Sequence, residues 1–388
     1  MQPRSARTVL IVASVAQVTV SFVNFGLPAI GPQLREELGL GLPAVGAVLT
    51  AAFLGSGMSL LGVGVAVDRL GSRTAIGIGT LLGTTALAVA AFADSAWSLG
   101  LALGVFGVGS SVVTVAGIGA LFRAYPAERR GWALGVRQMA VPLGGMIGAV
   151  LVPTLESFGG VTTVLLAAAV AVGLTGGGFA WVADSLRVGR EIRGLGFGTI
   201  LGAPGMRQLL AVAALYIVVL QAALVYAVPA ARAAGLSTLA AGAAFFAMQA
   251  AAGVARIAWG RVADRHAGRR RSRTLAEVGV VAAAGALLFA GALHAGGAAL
   301  AVPAAVVVGF GALGWNALVY VSAGERTPPE LSGRSVALAA TVIFALSALA
   351  TPPLGALAHE AGWDAFWLTV AALALAGSAV AAKLPRLV

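Results

Sequence analysis

Long apolar stretches separated by short polar ones follow one another along almost the whole chain. Each stretch is about 20 residues or longer, which lets a helix rising about 1.5 Å per residue cross a hydrocarbon core of about 30 Å. The pattern predicts an all-α membrane protein with twelve transmembrane helices, numbered here spans one to twelve: 8–29, 43–67, 74–93, 97–122, 131–153, 161–183, 208–229, 236–262, 274–295, 298–321, 333–357 and 363–382.

Composition and charge distribution define the membrane topology. Of the 388 residues, 59% are hydrophobic and 10% are charged, whereas soluble domains average about 25% charged residues. The net charge of +11 does not indicate a nucleic-acid partner, because 21 of the 25 Lys and Arg residues fall on one side of the predicted membrane and only Arg35 and Arg232 on the other. This asymmetry predicts a multi-pass protein with both termini cytoplasmic. Abundant Ala, Gly and Arg favour a bacterial source, and so the inner (cytoplasmic) membrane. Gln17 and Asn24 inside the first apolar run favour an uncleaved helix over a signal peptide.

The sequence repeats at half its length. The segment GVAVDRLGSRTAI after span two is echoed by GRVADRHAGRRRS after span eight, and FRAYPAERRGWALG before span five is echoed by GERTPPELSGRSVALA before span eleven, with Pro126 matching Pro328 and Gly131 matching Gly333. Such self-similarity indicates a duplication. We therefore predict two six-helix bundles related by pseudo-twofold symmetry, at 1–183 and 208–388, joined by a cytoplasmic linker at 184–207.

The segment after span two resembles the loop 2–3 signature of the major facilitator superfamily, and a weaker copy begins at Gly260. The resemblance covers the whole chain and implies a transporter that works by alternating access of two bundles. It also implies a conformational latch on the cytoplasmic side, although interfacial charges that only serve topology are the alternative. The predicted latch residues are Gly64, Asp68, Arg69, Gly71 and Arg73, with Asp264 and Arg265 in the second copy.

Two arginines, Arg137 in span five and Arg256 in span eight, lie inside apolar runs. A charge at the centre of a span costs roughly 2.5–3.5 kcal/mol on insertion scales, so such residues are usually functional. No Asp or Glu lies in the middle of any predicted span, which leaves a substrate anion as the simplest counter-charge. The alternative is a structural arginine whose side chain reaches the interface or binds helix carbonyls.

The spacing Arg256-x-x-x-Gly260 is similar to that of the oxalate/formate antiporter and monocarboxylate transporter families. The segment YPAERRGWALG is likewise similar to the loop 4–5 region of organic-anion branches. In those families the matching arginine binds substrate carboxylate, so the resemblance implies this role for Arg256. The chain departs from both patterns, because Ala252 replaces an acidic residue of monocarboxylate transporters and span eleven lacks the lysine of oxalate carriers.

Further polar residues inside spans are candidates for contact with the substrate. Their helical spacing places several of them on common faces, although buried amides also serve to join helices. The candidates are Gln17, Asn24, Gln249, Trp315 and Asn316, with Gln138, Tyr216, Gln221 and Tyr320 as weaker candidates.

These observations favour a secondary transporter, an antiporter or symporter, for a small organic anion, with a monocarboxylate held between Arg137 and Arg256. An inorganic anion such as nitrate or cyanate, a drug or multidrug exporter, and a sensor or scaffold that lost transport are the alternatives. An enzyme is not expected, because the three histidines lie in loops or at span ends and no nucleophile–base pair or metal cluster occurs. The chain has no cysteine, and we expect no cofactor, no nucleic-acid partner, and a monomer in the lipid bilayer.

Overall fold

The computed structural model describes residues 5–39, 42–183, 197–265, 271–295, 297–328 and 331–385. These residues are helical almost throughout, and none of them lies in a strand. A short 3-10 helix, Leu27–Ile30, follows the first helix. The α-helices are α1 Ala6–Gly26, α2 Gly31–Glu37, α3 Leu42–Leu70, α4 Ser72–Ala90, α5 Ala96–Ala124, α6 Ala127–Val182, α7 Phe197–Gly202, α8 Met206–Ala233, α9 Thr238–Asp264, α10 Arg271–His294, α11 Ala298–Ala312, α12 Asn316–Glu325 and α13 Ser332–Ala382.

Two of these helices each contain two of the predicted spans. Helix α6 is interrupted at Gly159 and Gly160, and Gly160 has a φ of +67°. Helix α13 is interrupted at Gly362, with a φ of +81°. Positive φ is accessible to glycine at little cost, and both interruptions fall where the apolar pattern separates spans five and six and spans eleven and twelve. The all-α fold with membrane-spanning helices is confirmed.

Span ten departs from the uninterrupted 298–321 helix that the pattern predicts. It is divided into α11 and α12 at residues 313–315. A Cβ on Gly314 would lie 2.7 Å from the Phe310 carbonyl oxygen and 2.8 Å from Ala255 Cβ, so the turn accepts only glycine without a shift. The indole N–H groups of Trp259 and Trp315 donate to the carbonyls of Phe310 and Ala312 at 2.9 and 3.0 Å. The two tryptophans thus satisfy carbonyls that the break exposes inside the membrane.

The helices group into two compact units, each described here by itself. Unit 1 contains the described residues within 1–125, 140–194 and 330–341, and unit 2 those within 126–139, 195–329 and 342–388. Unit 2 therefore includes the first turns of α6, which the sequence assigns to the first half of the chain. The predicted linker lies partly outside the described residues, so the predicted domain division stays a prediction.

Each unit has its own interior. In unit 1 the apolar core gathers large buried side chains from α1, α4, α5 and α6, among them Phe22, Leu87, Phe106 and Leu165. Serine hydroxyls join α3 to α5, with Ser56 Oγ 3.1 Å from Ser110 Oγ. In unit 2 the phenol of Tyr216 donates to the Leu275 carbonyl at 2.7 Å, which ties α8 to α10. Hydroxyl bonds of this kind are common between helices in membranes, where the surrounding lipid offers no alternative partner.

Candidate functional site

Arg137 and Arg256, the two arginines inside apolar runs, are both buried within unit 2. Arg137 lies on α6 with no exposed surface, and Arg256 lies on α9 with 7% of its surface exposed. Arg256 Nη1 donates to the backbone carbonyl of Gln138 at 3.1 Å. The α9 arginine therefore contacts the backbone of α6 beside Arg137.

The phenol of Tyr320, on α12, lies within electrostatic range of both guanidinium groups. Its ring is 3% exposed. Three helices that are distant in sequence thus bring two positive charges and one polar hydroxyl together. Sequence reasoning ranked Tyr320 among the weaker candidates, and the available signal was its position four residues after Asn316, on the same face of a helix.

Close packing of α6 on α9 makes this arrangement possible. A Cβ on Gly135 would meet the carbonyl of Arg256, and a Cβ on Gly260 would meet the carbonyl of Gly131. Both contacts would be closer than van der Waals separation, so neither position accepts a larger residue without moving the helices apart. Small residues four positions apart let helix backbones approach in this way in membranes. Arg256 therefore lies one turn from the Gly260 contact, and its own carbonyl forms the other contact, with Gly135.

The ion pairs between described residues involve Asp264, Glu277, Glu325 and Asp364. Arg256 takes part in none of them. Its known polar contact is to a neutral backbone carbonyl, which offsets only part of the cost of a buried cation. A planar guanidinium in such a place suits a carboxylate or another planar oxyanion, which it can bind through two parallel hydrogen bonds.

Three of the other predicted substrate residues have donors engaged by the backbone of unit 2. The hydroxyl of Tyr216 is bound to the carbonyl of Leu275, and its ring stands edge to face with that of Trp315, with centroids 5.8 Å apart. Gln221 Nε2 donates to the carbonyl of Ser347 at 3.0 Å. These contacts give Tyr216, Trp315 and Gln221 packing roles in the structure.

The remaining candidates are divided between the units. Asn316, at the start of α12, has a buried Oδ1 without a hydrogen-bond partner among the described residues, and Gln249 on α9 is half-buried. Gln17 and Asn24 lie on α1 in unit 1. There Gln17 contacts Ser21 and Thr114 at 3.4 Å each. The structure therefore gathers Arg137, Gln138 and Arg256, and does not bring the α1 residues into the same unit.

Asp264 and Arg271, from the second copy of the loop signature, form a charge cluster with Arg130 and Glu325. The Asp264 carboxylate accepts hydrogen bonds from the backbone N–H groups of Gly131 and Trp132 at 2.9 and 2.7 Å. These N–H groups lie near the start of α6, where a negative charge is favoured by the helix dipole. The side chain of Asp68, the repeat counterpart of Asp264, lies outside the described residues.

Arg271, at the start of α10, contacts the ends of three other helices, α6, α9 and α12. It was not among the predicted site residues. Its guanidinium lies 3.4 Å from Asp264 Oδ1 and 2.7 Å from Glu325 Oε2, and it donates to the Ala127 carbonyl at 2.8 Å. Only 2% of the Arg271 side chain is exposed, so these charges interact with little screening by water. Arg130 lies 3.7 Å from Glu325. Sequence reasoning assigned Arg271 to the many arginines that set topology, and nothing in its local sequence separates it from them.

Arg326 fixes the end of α12 next to this cluster. It donates to the carbonyls of Pro204 and Pro385 at 2.7 and 3.2 Å. Burial lowers the pKa of Arg326 from its ordinary value, and the adjacent Glu325 opposes that change. The guanidinium thus connects the end of α12 to the chain before α8 and after α13.

The first copy of the signature lies in unit 1. A Cβ on Gly64 would lie 2.8 Å from Ala337 Cβ, so this glycine permits close contact between α3 and α13. Gly71 precedes α4 with a φ of +81°, a conformation that favours glycine. Arg69 is exposed and Arg73 is half-buried.

A family model described as Major Facilitator Superfamily matches residues 13–352. The chain belongs to the major facilitator superfamily. Among curated members of this superfamily, an uncharacterized MFS-type transporter of Mycobacterium tuberculosis, from strains CDC 1551 and H37Rv, is 28% identical over 155 residues. That alignment covers 40% of this chain and 35% of the relative.

Solved superfamily structures share the fold at low sequence identity. The proton:xylose symporter XylE bound to 6-bromo-6-deoxy-D-glucose aligns with a TM-score of 0.80 and 13% identity, over 96% of this chain and 94% of that one. The human organic anion transporter MFSD10 (TETRAN) aligns at 0.78 and 16%, over 97% and 100%. A variant of the Escherichia coli fucose:proton symporter FucP aligns at 0.75 and 14%, over 98% and 100%. At these identities the likeness establishes the fold alone.

Proposed function

We propose that this protein is a secondary transporter that moves a small organic anion, a monocarboxylate, across the bacterial inner membrane by alternating access. Arg137 and Arg256 are the proposed substrate ligands. One observation carries the proposal: two buried arginines lie where α6 and α9 meet, since Arg256 Nη1 donates to the Gln138 carbonyl beside Arg137. Two like charges at one buried place favour an anion as their common partner, because it offsets both desolvation and repulsion.

In the proposed binding step, the substrate oxyanion replaces the neutral contact of the Arg256 guanidinium. The bond from Arg256 to the Gln138 carbonyl is exchanged for a charge-assisted bond, which is roughly twice as strong as a neutral one. Binding neutralises part of the buried charge and lowers the free-energy cost of enclosing it. A carrier of this kind favours exchange of one anion for another over the return of the unloaded site.

The proposed gate is the charge cluster of Arg130, Asp264, Arg271 and Glu325. It holds the first turns of α6 against the ends of α9 and α12 and the beginning of α10. If α6 moved away from α9, the Asp264 carboxylate and the Arg271 guanidinium would lose their partners on α6 and would have to be hydrated, which costs free energy. Substrate binding two turns along the same pair of helices can offset that cost, which couples the two regions through rigid helices.

The test is thermal unfolding of the purified protein against a panel of small carboxylates and inorganic anions. A ligand that binds only the folded protein stabilises it by about 2.7 kcal/mol at 100 times its Kd. We expect one anion class to raise the Tm of the parent, and the same concentration to leave the Tm of Arg256→Gln and Arg137→Gln unchanged. Arg207→Gln, which removes an exposed arginine outside the site, is the matched control and should respond like the parent.

Each alternative gives a different result. A shift with nitrate or cyanate but with no carboxylate would make the substrate an inorganic anion. A shift with hydrophobic drugs alone would contradict the anion site and favour an exporter. Anion binding without counterflow of labelled anion in proteoliposomes would favour a sensor that retains the fold.

A further inference from the structure

A pocket of about 430 Å³ opens on the surface of unit 2, on the side that the charge asymmetry predicts to be cytoplasmic. It lies between the first turns of α6 and the end of α9, apart from the buried arginines. The residues that line it are Glu128, Arg129, Trp132, Arg261, Asp264 and Arg265. Three arginines around one depression provide up to fifteen N–H donors, which is the chemistry of a phosphate site.

The charges in this pocket do not cancel one another. The Asp264 carboxylate is already engaged by two backbone N–H groups and by Arg271. Glu128 is therefore the remaining acidic side chain in the lining. Among the described ion pairs none involves Arg129, Arg261 or Arg265, and all three arginines are exposed. Their guanidinium groups are available to a ligand.

The internal repeat provides a comparison within the same chain. Alignment of the two signature copies pairs Arg265 with Arg69, and it pairs Arg261 with Val65. Alignment of the two preceding loops pairs Arg129 with Leu331. Topology requires positive charge after both copies alike, so it does not account for arginines that only one copy carries. Two of the three arginines that line the pocket, Arg129 and Arg261, therefore have no arginine counterpart in the other copy.

We propose that this pocket binds the phosphodiester headgroup of an anionic phospholipid with hydroxyl groups, of which phosphatidylglycerol is the simplest. A phosphodiester carries one negative charge, which the three arginines can hold without strong repulsion from Glu128. The headgroup hydroxyls can in turn donate to the Glu128 carboxylate. This site is distinct from the proposed substrate site and does not depend on the identity of the transported anion.

The position of the pocket favours a lipid over a soluble phosphate ester. Asp264 is the last residue of the apolar helix α9, and Trp132 lies near the start of the apolar span in α6. Both positions are at the depth where tryptophan and arginine meet lipid headgroups. A bound headgroup would contact α6 through Arg129 and α9 through Arg261 and Arg265. It would therefore hold together the same two helices as the charge cluster, and stabilise the protein while that contact is closed.

The experiment is thermal unfolding of the full chain in detergent, titrated with phosphatidylglycerol, phosphatidylcholine, glycerol phosphate or inorganic phosphate. The test variant is the double change Arg261→Gln and Arg265→Gln, and Arg129→Gln probes the opposite wall of the pocket. Arg69→Gln is the matched control, because Arg69 is the exposed repeat counterpart of Arg265. We expect phosphatidylglycerol to raise the Tm of the parent and of Arg69→Gln by several degrees, and its apparent affinity to fall at least tenfold in the double variant.

Four results would overturn the proposal. An equal rise in Tm with phosphatidylcholine would show that the anionic headgroup does not cause the stabilisation. An unchanged affinity for phosphatidylglycerol in the double variant would show that the lipid binds outside this pocket. An equal loss of lipid affinity in Arg69→Gln would show that the lipid responds to the total positive charge and not to this pocket. A shift with glycerol phosphate or inorganic phosphate as large as that with lipid would assign the pocket to a soluble ligand. All the variants change exposed side chains, so a normal Tm without lipid is expected and is measured first.

Discussion

At the scale of single residues, Arg256 is held inside the membrane by contacts that a carboxylate could improve. Its observed hydrogen bond goes to the carbonyl of Gln138, and its electrostatic neighbour is the phenol of Tyr320. Neither group carries a full negative charge at neutral pH. An anion would therefore interact more strongly with Arg256 than either of these two protein groups does.

Arg256→Lys separates the effect of charge from that of geometry. The ammonium keeps the positive charge but cannot form the two parallel bonds of a guanidinium. We expect the affinity for the anion, measured by the midpoint of the thermal-shift titration, to fall about tenfold in Arg256→Lys. In Arg256→Gln we expect a fall of about a hundredfold, because a hydrogen bond to a charged group contributes about 1.5–3 kcal/mol. Equal affinities in the two variants and the parent would show that Arg256 does not contact the substrate.

Tyr320→Phe tests the phenol that lies near both arginines. The ring is kept, so packing on α12 should change little, and only the hydroxyl is lost. A neutral hydrogen bond contributes about 0.5–1.5 kcal/mol, which predicts about a threefold to tenfold weaker anion affinity in the same titration. Tyr216→Phe is the control, since the Tyr216 hydroxyl is bound to the Leu275 carbonyl; it should lower the Tm and leave anion affinity unchanged. The reverse pattern would exclude Tyr320 from the site.

At the scale of helices, α6 and α9 pack through glycines that leave no room for a methyl group. Gly260 meets the carbonyl of Gly131, and Gly135 meets that of Arg256. Because these contacts are between backbones, a larger residue cannot be accommodated by a change of side-chain rotamer. The distance between the two arginine-bearing helices is therefore set by glycine.

Gly260→Ala should separate these helices, and Gly242→Ala provides a control on the same helix. A Cβ at position 260 would meet the Gly131 backbone, whereas a Cβ at position 242 would meet nothing within 4 Å. We expect Gly260→Ala to lose roughly 1–3 kcal/mol of stability, as overpacking does. Gly242→Ala should be neutral or slightly stabilising, because alanine favours the helix over glycine. Thermal unfolding in detergent distinguishes the two, and a stable Gly260→Ala protein would contradict the packing described here.

At the scale of the whole molecule, the charge cluster joins segments that are far apart in sequence. The hydrogen bond from Gly131 to Asp264 spans 133 residues, and that from Arg271 to the Ala127 carbonyl spans 144. Contacts of this range transmit a local change to several helices at once. In the proposed mechanism these contacts control access to the buried arginines.

Arg271→Gln should weaken the attachment of α6 to α9. Removal of one partner of a buried ion pair costs about 3–5 kcal/mol. The natural chain has no cysteine, so the thiol of Val136→Cys, at a half-buried position on α6, can be labelled without background. We expect the thiol to be labelled faster in the Arg271→Gln background than in the parent, because a weaker attachment of α6 to α9 exposes this position more often.

Arg273→Gln is the matched control for that experiment. It lies on the same helix and breaks an exposed pair with Glu277, which contributes about 0.3–0.5 kcal/mol. Its labelling rate should equal that of the parent. Equal rates in all three backgrounds would show that the cluster does not hold α6 in place.

Much of the architecture could be predicted because membrane burial acts on each segment separately. Apolar length alone located the spans, and the interruptions of α6 at Gly159 and Gly160 and of α13 at Gly362 fall between spans that it had separated. The break in span ten escaped prediction, since its cause is the approach of Ala255 and Trp259 from α9 to Gly314. The break also changes the rotation of the residues that follow it about the helix axis. The face on which Tyr320 lies therefore could not be predicted by counting residues from the start of the span.

The sequence by itself determined the apolar helices, the internal repeat and the presence of two arginines inside apolar runs, because the requirement to satisfy backbone groups in lipid is local. Only the tertiary structure decided which side chains meet. Arg137, Arg256 and Tyr320 gather because glycines let α6 approach α9, and Asp264 finds its partners on α6, α10 and, through Arg271, α12. Those contacts depend on the relative rotation and depth of packed helices. No periodicity within a single helix carries that information.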